Sequence, residues 1–105
     1  MNSLSGPAYK EHIVPLSDDQ WLSVERSDTA LVLTLFSECR WNVDEIGERA
    51  LARANVRRRS GPAFSVGVTR NLLVISHRML RETSDEAVNH VVVLLMQFSA
   101  ECRKD

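Results

Sequence analysis

The clearest pattern of the chain lies at Ala30 to Phe36, Ala-Leu-Val-Leu-Thr-Leu-Phe. Its period of two predicts a strand with Leu31, Leu33 and Leu35 on one face. The other face, Ala30, Val32, Thr34 and Phe36, is also largely apolar, so both sides require cover. Trp21 to Glu25 alternates in the same way, between the turn clusters Ser17-Asp18-Asp19-Gln20 and Arg26-Ser27-Asp28-Thr29. His12 to Leu16 reads as a short strand that Pro15 confines to a sheet edge.

Ala63 to Thr69 and Leu72 to Met79 form a hairpin about Arg70-Asn71, with Asn71 expected to supply the positive φ. Phe64, Val66 and Val68 share one face. Leu73, Ile75, His77 and Met79 share a face on the returning strand, and Leu72, Val74, Ser76 and Arg78 the other.

The apolar period changes to that of a helix at Val43, Ile46, Ala50, Leu51 and Ala54. Asn42 and Glu45 are spaced as a capping box, Trp41 and Ile46 as a hydrophobic staple, and Asn55 suits the helix end. Gly47 within this helix costs about 1 kcal/mol against alanine, which points to close packing there. A second capping box, Thr83 and Glu86, opens a helix from Ser84 to about Cys102. Val91 to Met96 has strand propensity, but caps, length and the basic end favour a helix. This helix is apolar on nearly every side, so burial on more than one face is expected. The order is strand, strand, strand, helix, strand, strand, helix. Short links favour antiparallel pairing, giving an α+β domain with a sheet of about five strands and two main helices. Residues 1–11 read as a flexible N-terminal tail and 12–105 as one domain.

A length of 105 residues and a mass of 11.9 kDa agree with a single domain. A net charge of −1 excludes a generally basic nucleic-acid binder. The first fifty residues carry four basic against nine acidic side chains, a net of −5, and the remainder nine against five, a net of +4. The halves therefore attract, within one fold or between two copies. The chain shows neither a membrane span nor a signal peptide, and its two cysteines suit a reduced, cytoplasmic protein.

Catalytic chemistry is not evident. Cys39 and Cys102 lack partners at metal-ligand spacing and read as buried thiols. A Cys39–His77 pair lacks an orienting group. His12, His77 and His90 are scattered, and the acidic residues of the turns make no metal constellation. No enzyme, cofactor or metal is therefore expected. Arg53 with Arg57-Arg58-Arg59 is the one basic run, and a regulatory or nucleic-acid-binding module using it is the alternative reading. The informative excess is apolar: Trp21, Val32, Phe36, Trp41, Leu72 and Val74 exceed what one sheet face needs, a surplus that marks an interface.

From Trp21 to Arg103 the pattern resembles the type III secretion chaperone-like fold. The resemblance is carried by the helix ending Ala50-Leu51-Ala52-Arg53-Ala54-Asn55, the loop at Gly61 and the hairpin. It continues through Leu73-Val74-Ile75-Ser76-His77-Arg78-Met79-Leu80, followed by Thr83-Ser84-Asp85-Glu86. The YbjN-like proteins share this architecture. The family opens with an amphipathic helix that residues 1–11 do not supply, and it is usually acidic. The resemblance implies a bacterial, cytoplasmic, non-enzymatic homodimer that holds an extended N-terminal segment of an effector in a secretion-competent state. It points to the helix with Val43, Ile46, Gly47, Ala50 and Ala54 as the dimer contact, where small residues allow close approach. The remaining apolar face, with Val32, Phe36 and Val74, would then take the partner peptide, whose backbone can also add to a sheet edge.

Overall fold

The computed structural model describes residues 10–40, 42–57 and 63–104. Five strands form one antiparallel sheet: β1 (Lys10–Ser17), β2 (Gln20–Arg26), β3 (Ala30–Glu38), β4 (Ser65–Thr69) and β5 (Leu72–Leu80), in the spatial order β1-β2-β3-β5-β4. Two helices, α1 (Val43–Arg57) and α2 (Asp85–Arg103), complete the α+β fold. The element order is the one the apolar periods predict. β1 begins at Lys10, so Lys10 and Glu11, expected in the tail, belong to the sheet. Val91 to Met96 is helical, as the caps require.

Strand register separates two faces. Leu22, Leu33, Leu35, Leu73 and Ile75 point to one side, where they pack with Ile46, Ala50 and Ala54 of α1 and Val91, Leu95, Phe98 and Cys102 of α2. Phe64, just before β4, meets Phe98 edge-on with ring centroids 5.3 Å apart. Both helices therefore lie on the same face. α1 sits over β4 and β5, and α2 over β3 and β5.

A polar relay lies within this apolar layer. Gln20 Nε2 donates to Ser37 Oγ at 3.0 Å, and Ser37 Oγ lies 2.7 Å from Ser99 Oγ. All three residues are buried, so the relay fixes the position of α2 against β2 and β3. The carboxyl end of α2 is clasped from two sides. Arg49 donates to the carbonyls of Cys102 and Lys104, and Arg103 donates to the Asp19 carboxylate and to the Glu38 carbonyl. Cations at a helix C-terminus satisfy its orphan carbonyls and suit its dipole.

Local chemistry departs from expectation at four places. Asn42 has φ 59°, so it precedes α1 in the left-handed region rather than in the extended geometry of an N-cap; its carbonyl accepts from Ile46 N at 2.9 Å. In the β4–β5 turn the positive φ, 55°, belongs to Arg70 and not to Asn71. Ser84, not Thr83, caps α2: its hydroxyl accepts from Ala87 N at 3.2 Å, while Thr83 Oγ1 donates to the Leu80 carbonyl. Finally, α2 is buried along one stripe only, leaving Val93 and Met96 exposed, because the sheet and α1 cover it on one side. Trp41 of the expected staple lies outside the described residues, as do the tail residues 1–9 and Arg58-Arg59 of the basic run. Arg57 belongs to α1 rather than to a loop.

The five α1 residues expected at a dimer contact lie inside the protomer. Ile46 is 8% exposed, Ala50 0% and Ala54 4%, all within the core; Val43 packs against that core. A Cβ at Gly47 would sit 2.5 Å from Val68 Cγ2, so the glycine admits β4 rather than a second copy. The small residues of α1 allow close approach to the chain's own sheet. Outside this stripe Glu48 is exposed, and Leu51, 54% exposed, lies beside β4.

Candidate protein-binding face

With both helices on one side, no helix among the described residues lies over the opposite face of the sheet. The register arranges this face in rows that run across the strands. Pro15 pairs with Trp21, Trp21 with Phe36, Phe36 with Val74 and Val74 with Gly67, so one apolar row crosses all five strands. At the usual spacing between strands it is about 19 Å long. Trp21 and Phe36 stack at its centre, ring centroids 5.5 Å apart and planes 12° from parallel. Such a pair adds about 1 kcal/mol beyond its buried area and holds both rings in a fixed orientation.

The next row is mostly hydroxyls: Ile13, Ser23, Thr34, Ser76 and Ser65. Ser23 donates to a Glu11 carboxylate oxygen at 3.1 Å, and Ser23 and Thr34 are buried between their larger neighbours. The third row holds Glu11, Glu25, Val32 and Arg78. Polarity thus rises from the first of these rows to the third. Leu80, opposite Ala30, adds an apolar side chain 72% exposed, and Ile13 one 55% exposed.

The three residues expected to take a peptide share this face. Phe36 and Val74 are direct cross-strand partners, and Val32 lies four residues before Phe36 on β3. Each is half-buried. Trp21 and Leu72 of the apolar surplus lie on the same face. Ile13, Pro15 and Leu80 belong to it as well, although the sequence pattern does not single them out. In the sequence Pro15 marks a sheet edge, and only the register pairs it with Trp21.

The groups whose titration is shifted, Asp19, Cys39 and Cys102, lie outside these rows. A hydrogen bond from the Ser17 hydroxyl, with Arg103 also beside it, holds the Asp19 carboxyl below its ordinary range. This contribution to stability is present above the unfolded pKa and is lost as pH falls through the lowered folded value. Burial raises the thiols of Cys39 and Cys102, keeping both in the unreactive neutral form. Cys39 adjoins Asn71 while His77 stands opposite Leu33, so the two are about 20 Å apart along the sheet and form no pair. His77 Nδ1 instead lies 2.8 Å from the Ala63 carbonyl. His12 and His90 are exposed. Among the described residues no group of three or more His, Cys, Asp or Glu side chains is placed to hold a metal ion, and no helix is long and apolar enough to cross a membrane. Arg53, within the basic run, donates to Glu101 at 3.4 Å. In comparisons with known proteins, no protein-family model and no curated protein matches this chain.

Proposed function

We propose that this is a non-enzymatic, cytoplasmic binding protein that holds a segment of a partner polypeptide against the helix-free face of its sheet. The observation that carries the reading is the apolar row Pro15, Trp21, Phe36, Val74 and Gly67, with a stacked aromatic pair at its centre and, among the described residues, no helix across it. A rigid aromatic anchor in an apolar strip, flanked by hydroxyls and then charges, has the composition of a protein interface with a polar rim. The resemblance to secretion chaperones narrows the partner to an extended N-terminal segment of an effector kept secretion-competent. The apolar row suits such a segment, which supplies side chains but no folded surface of its own.

The test is purification of wild type and Phe36→Asp from the native host, followed by rebinding of whatever co-purifies to each protein by calorimetry. The expected result is one polypeptide bound by wild type and lost with Phe36→Asp, which keeps the wild-type circular dichroism spectrum. Equal binding by both proteins rejects this face. A bound nucleic acid whose affinity falls steeply with salt would instead support the alternative module built on Arg53 to Arg59.

A further inference from the structure

We propose that the outer edge of β4 pairs with the same edge of a second copy, joining two five-stranded sheets into one of ten strands about a two-fold axis at Gly67. The two sheet edges differ. β1 is guarded by Pro15, by the charged Glu11, and by a register slip between Pro15 and Ser17. β4, Ser-Val-Gly-Val-Thr, has no charge and no proline, and among the described residues no strand pairs with its outer side. A bare edge of this kind is a template for another strand.

The register selects a second copy of the chain as the occupant. The two-residue turn closes on the Thr69–Leu72 pair. Hydrogen-bonded pairs to β5 then fall at Thr69, Gly67 and Ser65, and the amides of Val66 and Val68 point outward. Antiparallel self-pairing about Gly67 sets Val66 against Val68 of the partner copy and Val68 against its Val66. These are the residues with outward amides, and the exchange is isologous, as a two-fold contact must be. The two Gly67 residues then meet as a non-hydrogen-bonded pair with Cα atoms about 4.5 Å apart. A Cβ at Gly67 meets nothing within 4 Å in the protomer, so the protomer itself does not call for glycine there.

Charge favours the same occupant. The chain entering α1 adjoins Asn71, and Gly47 packs on Val68, so α1 runs from the hairpin turn back toward Ser65. Its first half carries Asp44, Glu45 and Glu48. Its second half carries Arg53 and no acidic residue. The two-fold sets two such helices antiparallel, acidic start beside basic end. Between α1 and β4 of each protomer a shallow groove of about 450 Å³, lined by Leu51, Val66, Gly67 and Val68 with the acidic Asp44 and Glu48, accepts the partner's Leu51. Joined in this way, the apolar rows of the two protomers become continuous through Gly67.

Sedimentation velocity at micromolar concentration tests the proposal. Wild type is expected to be a dimer. Gly67→Lys and Gly67→Glu each place like charges opposite one another on the axis, and each is expected to weaken the dimer by about tenfold or more. An equimolar mixture of the two variants is expected to recover a dimer, since the pair is then of opposite sign. A monomeric wild type overturns the proposal. So do variants as dimeric as wild type, which would place the contact on another face, and a mixture that remains monomeric. Independently, Gly67→Cys is expected to cross-link two copies on mild oxidation, because the Cα separation lies within disulfide range. Failure to cross-link overturns the register.

Discussion

Gly47 and Val68 show how tightly single positions are set. An alanine at Gly47 would favour the helix by about 1 kcal/mol, but its Cβ would meet the stiff Val68 side chain at 2.5 Å. Gly47→Ala is therefore expected to destabilise the domain by about 1–2 kcal/mol in urea unfolding. In a Val68→Ala background the same change is expected to stabilise, and additive effects would show that the two residues do not compete. The sequence pattern indicates that Gly47 marks a close approach, but a period has no information about which surface approaches. The buried thiols make a second residue-scale case. Cys39→Ser and Cys102→Ser each place a hydroxyl in the core and are expected to cost about 1–3 kcal/mol. A melting temperature unchanged in either variant would contradict this.

At the scale of elements, strands were legible because each alternates and is bounded by turn residues, and the helices because their apolar period changes. Caps were less legible. Thr83 and Ser84 both satisfy the cap composition, and only the backbone shows that Ser84 holds the extended geometry and accepts from Ala87. Ser84→Ala is expected to lower stability by about 1 kcal/mol by thermal denaturation; an unchanged melting temperature would show that the Ser84 cap contributes little. The apolar period of α1 marks a covered stripe, and the chain's own sheet is what covers it. An apolar helix face looks alike whether its own sheet or another chain covers it. The polar relay of Gln20, Ser37 and Ser99 has no sequence signature, since its members lie on three elements that only the fold brings together.

For the whole molecule, the two faces of one sheet give opposite expectations for the same chemical change. Ile46→Asp places a carboxylate in the protomer core and is expected to unfold the domain, at a cost of several kcal/mol. Phe36→Asp places it on the helix-free face, beside Trp21, and is expected to leave the circular dichroism spectrum intact. A folded Ile46→Asp protein with a wild-type melting temperature would show that the core does not depend on α1. The surplus of large apolar side chains was visible in the sequence, as was the sharing of one face by Val32 and Phe36. The placing of Ile13, Pro15 and Leu80 beside them was not, because rows across a sheet depend on register between strands distant in sequence.

The pairing of β3 with β5 bears on how the chain folds. β1, β2 and β3 are joined by tight turns, and so are β4 and β5. The β3–β5 ladder alone must close over residues 39–71, which hold α1 and β4. Loop closure at that range costs entropy before any contact returns it, so this ladder is the slow step toward the native topology. Leu35→Ala, within the ladder, is expected to slow refolding in stopped-flow experiments. Val14→Ala, on the edge strand β1, is expected mainly to speed unfolding. The central seam of the sheet thus sets the time the chain takes to fold, and its outermost strand is the first to let go.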